Sequence, residues 1–326
     1  MKICIYGAGA IGVFLGARLG ATGQLVSAVA RGATLAALRA HGLRLELAER
    51  VVQAPVNATD DPRELGRQDI VIIAVKGPAM PSVVTNIAPL IGPDTIVLTA
   101  MNGVPWWFFS GMEGRLAGSP LDTLDPAGSI AAAIPARQIL GCVVHASCST
   151  SAPGTSRHGT GHGLIVGEPV GGASLRVLKV SQLLEMSGFE TRIAPRIQQD
   201  IWYKLWGNMT MNPVSAITGA TADRVLDDEL VGGFIHSVMR EASAIGAAIG
   251  CTIAQSAEDR SVITRKLGAF RTSMLQDVDA GRQLEIDALL TVVREIAMRV
   301  DIATPNLDAL LGLTRLFART RGLYPG

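Results

Sequence analysis

The sequence is poor in charged residues, in aromatic residues and in cysteine, and it has no long apolar run. Charged residues make up 17% of its 326 residues and the formal net charge is +1, which argues against a general nucleic-acid-binding surface. Hydrophobic residues make up 48%, which argues against a disordered chain. No apolar run approaches the roughly 20 residues that span a bilayer. We therefore expect neither nucleic acid nor a membrane as a partner.

The four cysteines, Cys4, Cys142, Cys148 and Cys251, show neither a CxxC pair nor disulfide-like spacing. Cys4 lies in the predicted first strand, where we expect a core position. The first residues run directly into a glycine motif, without the apolar region and cleavage site that are typical of a signal peptide. These features predict a soluble protein of a reducing cytoplasm.

His158 and His162 lie four residues apart with Cys148 upstream, a spacing that superficially suggests a metal site. The segment 154–163 is too rich in glycine for a helix that would align the two rings. It favours a hairpin or a flexible loop, and we expect no metal.

The glycine motif GAGAIG occupies positions 7–12, after a short apolar run and before a helical pattern. Strand, glycine turn and helix in this order are the context of a dinucleotide fingerprint. Gly7 permits the tight turn, Gly9 lets a pyrophosphate approach the backbone, and Gly12 lets helix and strand pack closely. The helix start offers free N–H groups to the phosphates. The predicted cofactor-binding residues of this motif are Gly7, Gly9, Ala10, Ile11 and Gly12.

The second predicted strand, residues 25–30, ends without an acidic residue. An NAD-preferring site usually has Asp or Glu there for the ribose 2′-hydroxyl. Arg31 follows instead, and its planar guanidinium suits a 2′-phosphate. One such contact contributes roughly 1.5–3 kcal/mol, a ten- to hundredfold preference for NADP. The alternative is an exposed loop arginine.

The run 69–75 is almost continuously apolar, which predicts a strand buried on both faces of a parallel sheet. The run 95–99 predicts a further strand. Lys76 and Asn102 follow these two strands at the carboxyl edge, where ligands bind in such sheets, and we expect both near the nicotinamide ring. For each residue the alternative is ordinary turn chemistry, above all for Asn102 with Gly103.

The remaining patterns divide the chain into two parts. Strands are predicted at 139–150, 163–166 and 190–193, with a strand pair at 41–49 and a helix at 175–187. Beyond Pro195 the predicted helices cover 197–217, 223–250, 256–279, 282–302 and 305–320. The fold class is therefore α/β. An N-terminal Rossmann-like dinucleotide-binding domain, residues 1–194, precedes an all-helical C-terminal domain, residues 195–326.

Lys204, Asn208 and Asn212 lie at i, i+4 and i+8 of the predicted helix 197–217, so their side chains share one face. Apolar surroundings make an ammonium easier to deprotonate, and amides can hold a bound oxygen without adding charge. The alternative that spacing alone leaves open is a snorkelling lysine with two surface amides.

An aromatic cluster, residues 106–109, comes soon after Asn102. It could line a substrate pocket or close over it, and it could equally anchor its loop onto the second domain. The sequence leaves these alternatives open.

In this order and at these separations the motifs resemble the ketopantoate reductase (2-dehydropantoate 2-reductase) family. The motifs are the GAGAIG turn, Lys76, Asn102-Gly103, Lys204 with Asn208 and Asn212-Pro213, Ser273 to Asp277, and Glu285 to Asp287. The resemblance covers essentially the whole chain. It implies a Rossmann-like domain followed by a helical domain, with the active site in the cleft between them. It further implies NADPH-dependent reduction of a 2-keto acid to a 2-hydroxy acid, in the pathway to pantothenate and coenzyme A.

The resemblance also implies a role for each matching residue. Lys204 matches the catalytic lysine, and Glu285 matches the carboxylate that binds the substrate hydroxyl. Asn102 and Lys76 match positions on the nicotinamide and substrate side, and Arg31 the arginine of the 2′-phosphate. The other substrate-binding positions are matched by Asn208, Asn212 and Ser273. Without the resemblance, Glu285 would be an ordinary acid in the first turn of a helix.

One departure concerns the substrate. The loop from Asn102 to Trp107 is bulkier than the small-residue continuation common in the family, so a paralogous NADP-dependent reductase of another small 2-keto acid is the alternative. A non-catalytic NADP(H)-binding sensor is a second alternative, although it would have no need of Lys204 and Glu285. The expected partner is the small-molecule substrate, with a homodimer as one possible assembly.

Overall fold

A computed structural model describes residues 1–266 and 268–325. The chain divides into two compact units, residues 1–101 with 128–197 and residues 102–127 with 198–326. The later division lies close to the predicted boundary at residues 194 and 195. Residues 102–127, however, belong to the second unit, whereas the sequence placed them in the first domain. The reason is long-range packing, since Val104 N donates to Ala288 O at 2.9 Å.

The strands of the described residues all lie in the first unit. They are β1 Lys2–Tyr6, β2 Leu25–Val29, β3 Leu43–Glu46, β4 Val51–Ala54, β5 Asn57–Thr59, β6 Ile70–Ile73, β7 Ile96–Thr99, β8 Ile139–His145, β9 Cys148–Ala152, β10 Thr155–His158, β11 Gly163–Gly167 and β12 Glu190–Ile193. They form two sheets.

The larger sheet has eight strands in the order β12-β11-β8-β7-β6-β1-β2-β5. From β5 to β8 neighbouring strands are parallel, and β11 joins β8 antiparallel. Every residue of β6 and β7 is buried, as the apolar runs predicted for a sheet covered on both faces. The parallel part is Rossmann-like, with β1 at the point where the strand order reverses. The predicted α/β fold class is confirmed.

The first unit also contains five α-helices among its described residues. They are α1 Ala10–Ala21, α2 Gly32–His41, α3 Met80–Asn86, α4 Ser129–Ala133 and α5 Leu175–Met186. Helix α1 packs closely against both sheets, because a Cβ at Gly16 would lie 2.9 Å from Leu43 Cδ1 and 3.0 Å from Ile5 Cγ1. This close packing fixes α1 directly behind β1.

The smaller sheet, β4-β3-β10-β9, corrects two sequence predictions. The predicted strand pair 41–49 contains only β3, and its antiparallel partner β4 follows at residues 51–54, with Leu43 opposite Ala54. The predicted strand 139–150 is divided between β8 of the larger sheet and β9 of the smaller one. Strand β9 then forms an antiparallel hairpin with β10.

The second unit is helical. Its helices are α6 Ile197–Thr218, α7 Ala222–Asp227, α8 Glu229–Ala248, α9 Ala257–Arg265, α10 Ser273–Asp279, α11 Val292–Arg299 and α12 Pro305–Thr320, with a π-helical turn at Asp287–Thr291. Helices α6 and α12 agree with the predicted bounds. The three helices predicted between them are each shorter or divided.

Polar caps divide these helices. Asp228 has extended backbone and its carboxylate accepts from the N–H groups of Leu230 and Val231, so it ends α7 and begins α8. Thr272 likewise caps α10 by accepting from Leu275 N at 3.2 Å. Apolar periodicity continues across these positions, which is why the sequence suggested longer helices.

A buried ion pair joins the end of β11 to the start of α5. Glu168 is 3% exposed and accepts hydrogen bonds from the guanidinium of Arg176 and the hydroxyl of Ser174. Burial acts to raise the pKa of Glu168, but these hydrogen bonds bring it below its usual value. The folded state therefore favours the ionised carboxylate.

We expect Glu168→Gln to lower the free energy of unfolding by about 3 kcal/mol, because it leaves a largely buried guanidinium without its counter-charge. Since the folded pKa of Glu168 is lowered, this contribution is complete above the usual glutamate pKa. It is lost as the pH falls through the folded value. Urea unfolding of the wild type and the variant, from neutral pH down to a pH below the folded pKa of Glu168, measures both effects.

The matched control is Glu190→Gln, because Glu190 is exposed and pairs only with His162 in the described residues. It should change stability by about 0.5 kcal/mol or less. Equal losses for the two variants would show that the Glu168 pair does not stabilise the fold in this way.

Candidate active site

The glycine turn between β1 and α1 has the shape that a dinucleotide phosphate needs. Gly7 has a positive φ of 102°, and a Cβ there would lie 2.5 Å from Val75 Cγ1. A Cβ at Gly12 would lie 2.0 Å from the carbonyl oxygen of Gly7. At Gly9, in contrast, a Cβ would meet nothing within 4 Å. The turn is therefore tightly packed against its neighbours at Gly7 and Gly12, and it is open at Gly9.

The N-terminus of α1, the positive end of the helix dipole, is not neutralised by a capping side chain or an acidic residue. Gly9 is the N-cap residue, no side chain caps the helix, and its first turn has no acidic residue. The N–H groups of the first turn, which includes Ala10 and Ile11, have no intrahelical acceptor. Together with the helix dipole they form a site for an anion.

Arg31 lies at the end of β2, at the N-cap position of α2, and is exposed. Its guanidinium donates a hydrogen bond to Ser82 Oγ in α3. Tyr6, at the end of β1, is buried, and burial raises the pKa of its hydroxyl although the charge of Arg31 acts to lower it. Sequence analysis missed Ser82, since no local pattern marks a contact between residues 51 positions apart.

Lys76 follows β6 as predicted and is half-buried at the N-cap position of the short 3₁₀ turn Gly77–Ala79. Asn102 follows β7 in the chain but belongs to the second unit. Gly103 has a φ of 81°, and a Cβ there would lie 2.3 Å from the carbonyl oxygen of Ala288. Glycine is required at this position, and the close approach holds Asn102 next to the π-helical turn.

Helix α6 is anchored by its two tryptophans. Trp202 Nε1 donates to Ala242 O at 3.2 Å and Trp206 Nε1 donates to Met239 O at 2.8 Å, both on α8. The tryptophan rings are fully buried, so α6 cannot rotate about its axis without breaking these contacts. This anchoring turns Lys204 and Asn208 toward the accessible side.

The Lys204 ammonium donates a hydrogen bond to Asn102 Oδ1 at 2.8 Å. The two residues are 102 positions apart in the chain, and sequence analysis had selected each independently. A neutral amide oxygen orients the ammonium without neutralising its charge. The contact is therefore compatible with an ammonium that also serves a ligand.

The amides farther along α6 lie in different surroundings. Asn212 is 6% exposed, and its Nδ2 lies 3.5 Å from Ser273 Oγ, the limit of a hydrogen bond. Ser273 is the exposed first residue of α10. Asn208 is half-buried next to Lys204. The structure thus brings Asn212 and Ser273 together, and it places Asn208 in the same accessible row as Lys204.

Glu285 is half-buried and lies immediately before the helical segment that begins at Ile286. It is therefore not inside a first helical turn. Two residues later, Asp287 Oδ1 accepts from Tyr324 Oη at 2.6 Å. Burial and then this hydrogen bond raise the pKa of Tyr324 to about 12. The Ala288 contact with Gly103 places the Glu285 segment beside the loop of Asn102.

The aromatic cluster packs inside the second unit. Trp106, Trp107, Phe108 and Phe109 are all at most 7% exposed. The ring of Phe108 lies 6.0 Å from that of Trp202 on α6. Of the two alternatives, the structure supports the anchoring one, because these side chains fill the interior next to α6.

The histidines of the glycine-rich segment have separate partners. His158 Nε2 lies 2.6 Å from Gly161 O, with its ring stacked on Phe14, and His162 Nε2 lies 3.0 Å from Glu190 Oε1. Residues 1–266 and 268–325 contain no cluster of three potential metal ligands.

Cys4 is fully buried in the core, as predicted, and burial raises its pKa to about 12. No helix within these same ranges is long and apolar enough to cross a membrane.

Comparisons with known proteins cover both units. Residues 3–171 match the family described as ketopantoate reductase PanE/ApbA, and residues 196–318 match its C-terminal family. A 2-dehydropantoate 2-reductase of Mesorhizobium japonicum is 42% identical over 325 residues, covering 99% of this chain and 100% of that protein.

Solved structures share the whole fold. A crystal structure described as a candidate ketopantoate reductase of Ralstonia solanacearum MolK2 is 57% identical, with a TM-score of 0.96 and 99% of each chain covered. A ternary structure of D-mandelate dehydrogenase with NADH and anilino(oxo)acetate is 20% identical, with a TM-score of 0.84 over 99% of this chain and 100% of that one, and shows a common fold. On the full-length family matches and the 42% identical relative, the chain belongs to the ketopantoate reductase family of oxidoreductases.

Proposed function

We propose that this chain reduces a 2-keto acid to the 2-hydroxy acid with NADPH, and that the substrate is 2-dehydropantoate (ketopantoate), which gives pantoate for pantothenate and coenzyme A synthesis. The observation that carries the proposal is the hydrogen bond from Lys204 Nζ to Asn102 Oδ1. It holds an ammonium on the accessible side of a mostly buried helix. The substrate named by the 42% identical relative supports the same choice.

The residues of the glycine turn fit the cofactor. The open space at Gly9 accommodates a pyrophosphate, and the uncapped start of α1 supplies its N–H donors. Arg31, with Ser82 beside it, would bind the 2′-phosphate and so select NADPH over NADH. Lys76 would lie near the nicotinamide end. NADPH, when bound, supplies the hydride that adds to C2 of the keto acid.

The role of Lys204 follows from the charge that develops on the substrate. When C2 gains a hydride, its carbonyl oxygen becomes negative. The Lys204 ammonium would stabilise this oxygen and then donate a proton to it, which completes the hydroxyl group. Asn102 would orient the ammonium and stay neutral throughout.

The other polar residues would hold the substrate. Asn208, Asn212 and Ser273 offer amide and hydroxyl groups for its oxygens, and Glu285 would accept a hydrogen bond from its terminal hydroxyl. A hydroxyl-binding carboxylate would distinguish ketopantoate from keto acids that lack this group. We also propose a cytoplasmic location for the enzyme, and a homodimer as the assembly to test.

The proposal is tested by following NADPH absorbance with a panel of 2-keto acids that includes ketopantoate, pyruvate and trimethylpyruvate. Ketopantoate should have the highest kcat/KM. A higher value for another keto acid would assign a paralogous activity. Absence of turnover with every member would leave a nucleotide-binding protein without this reaction.

We expect Lys204→Ala to lower kcat by about 10²-fold or more, the usual contribution of a general acid, while the Kd of NADPH stays near that of the wild type. Lys204→Arg keeps the positive charge but donates a proton poorly, so its kcat should also fall. Lys179→Ala, an exposed lysine of α5, is the control. Unchanged turnover in Lys204→Ala would remove this residue from the reaction.

Arg31→Ala should weaken NADPH binding by roughly ten- to hundredfold, because one charge-assisted contact to the 2′-phosphate is lost. Binding of NADH, which lacks this phosphate, should change little. Fluorescence titration of both cofactors measures the difference, with the exposed Arg50→Ala as control. Equal losses for NADPH and NADH would mean that Arg31 does not bind the 2′-phosphate.

Glu285→Gln should raise KM for ketopantoate by roughly tenfold or more, since a hydrogen bond to a charged acceptor is weakened. Trimethylpyruvate has the same carbon skeleton without the hydroxyl, and its KM should be nearly unchanged. Steady-state kinetics with both keto acids separates the two roles. If both KM values rise together, Glu285 supports the fold rather than the hydroxyl.

A further inference from the structure

The residues that follow α12 turn back sharply on the helix. Gly322 has a φ of 68° and its N–H donates to Arg319 O at 3.0 Å, while Leu323 N donates to Ala318 O at 2.8 Å. These two hydrogen bonds form a Schellman turn, in which glycine takes the left-handed position. The turn ends α12 and fixes the direction of residues 321–325, which we call the α12 extension.

The α12 extension holds the chain on both sides of Glu285. Leu284, the residue before it, donates its N–H to Leu323 O at 2.9 Å. Asp287, two residues after it, accepts through Oδ1 from Tyr324 Oη at 2.6 Å. Two consecutive residues of the extension therefore fix the two ends of a short segment that has Glu285 inside it.

Tyr324 is itself fixed in place. The guanidinium carbon of Arg319 lies 5.7 Å from the centroid of its ring, and Arg319 Nε donates to Pro325 O at 3.0 Å. Burial and then the hydrogen bond with Asp287 raise the pKa of Tyr324 to about 12. The hydroxyl consequently keeps its proton in neutral solution and remains a donor to Asp287.

Asp287 also begins the π-helical turn. Turns of this kind often occur at functional sites in helices. The next residue, Ala288, accepts from Val104 N at 2.9 Å, and this contact holds the loop of Asn102. The position of Asp287 therefore sets how the backbone of Glu285 lies relative to that loop.

We propose that Tyr324 is a positioning residue, whose bond to Asp287 holds the Glu285 carboxylate where it accepts the terminal hydroxyl of the substrate. This inference rests on the function proposed above. A hydrogen bond weakens steeply when its donor and acceptor are misaligned, so a carboxylate on a segment that can shift binds a hydroxyl less well. Tyr324 thus contributes to the choice between substrates with and without that hydroxyl, and it does so through Glu285.

The experiment measures how strongly the full chain prefers pantoate to its 4-deoxy analogue, which lacks only the terminal hydroxyl, by calorimetric titration at saturating NADP⁺. The wild type should bind pantoate more tightly by roughly ten- to hundredfold, the range for a hydrogen bond to a charged group. Tyr324→Phe deletes one hydroxyl and keeps the ring, and it should reduce this preference by roughly three- to tenfold. The Kd of the deoxy analogue should stay within about twofold.

The same substitution is also made in the Glu285→Ala background. If Tyr324 acts through Glu285, the two changes are not additive, and Tyr324→Phe causes no further loss of preference there. A general weakening of the fold would instead affect both ligands and both backgrounds alike. A further loss of preference in the Glu285→Ala background would overturn the proposal.

Thr320→Val is the matched control, because it removes a hydroxyl that bonds only within α12 in the described residues, to Phe317 O at 2.9 Å. It should keep the preference for pantoate. If Tyr324→Phe fails to fold, Asp287→Ala replaces it, since it breaks the same hydrogen bond from the other side. Asp287→Asn retains an acceptor oxygen and should restore most of the preference lost in Asp287→Ala. An unchanged preference, or an equal loss for both ligands, in the variant that folds would contradict the role of Tyr324.

The titration needs no turnover, so it separates this inference from the proposed reaction. A wild type that reduces no 2-keto acid, but whose preference for pantoate depends on Tyr324 and Glu285 together, would keep the positioning role and lose the reaction. A wild type with no preference for pantoate would overturn the role of Tyr324, even if it reduces keto acids.

Discussion

The hydrogen bond from Lys204 to Asn102 is the contact on which the proposed reaction depends. It joins helix α6 to a loop that leaves the first unit after β7 and packs into the second unit. Gly103 against Ala288, and Phe108 against Trp202, hold this loop on both sides. The ammonium is thereby oriented by packed neighbours, which the proposed proton donor needs in order to serve one oxygen.

In the first unit, the glycine turn has a geometry that suits the close approach of the proposed cofactor's phosphates. Gly7 and Gly12 are packed so tightly that neither tolerates a Cβ, while Gly9 faces open space. Both features suit phosphate binding, because tight packing fixes the start of the helix while the open space leaves its N–H groups accessible. Arg31 follows β2 at the same carboxyl edge of the sheet, and its guanidinium donates a hydrogen bond to Ser82.

Local sequence patterns predicted the strands and helices that carry these residues. The predicted bounds were wrong where a polar side chain caps a new helix within a continuous apolar pattern. The turn after β1, the buried strands β6 and β7 and the bounds of α6 follow from glycine spacing and hydrophobic periodicity. The helices predicted at 223–250 and 256–279 are divided, because Asp228 and Thr272 cap new helices inside a continuous apolar pattern. The strand predicted at 139–150 is divided between two sheets, a choice that depends on distant partners.

By itself the sequence determined that a glycine turn follows the first strand, that an α/β region precedes a helical one, and that Lys204, Asn208 and Asn212 share a helical face, since each depends on neighbours within a few turns. Only the tertiary structure decided that residues 102–127 belong to the second unit, that Lys204 meets Asn102, and that Tyr324 bonds to Asp287. These contacts join residues far apart in the chain. No local period encodes them, because they are selected by packing volume and by the need to satisfy buried polar groups.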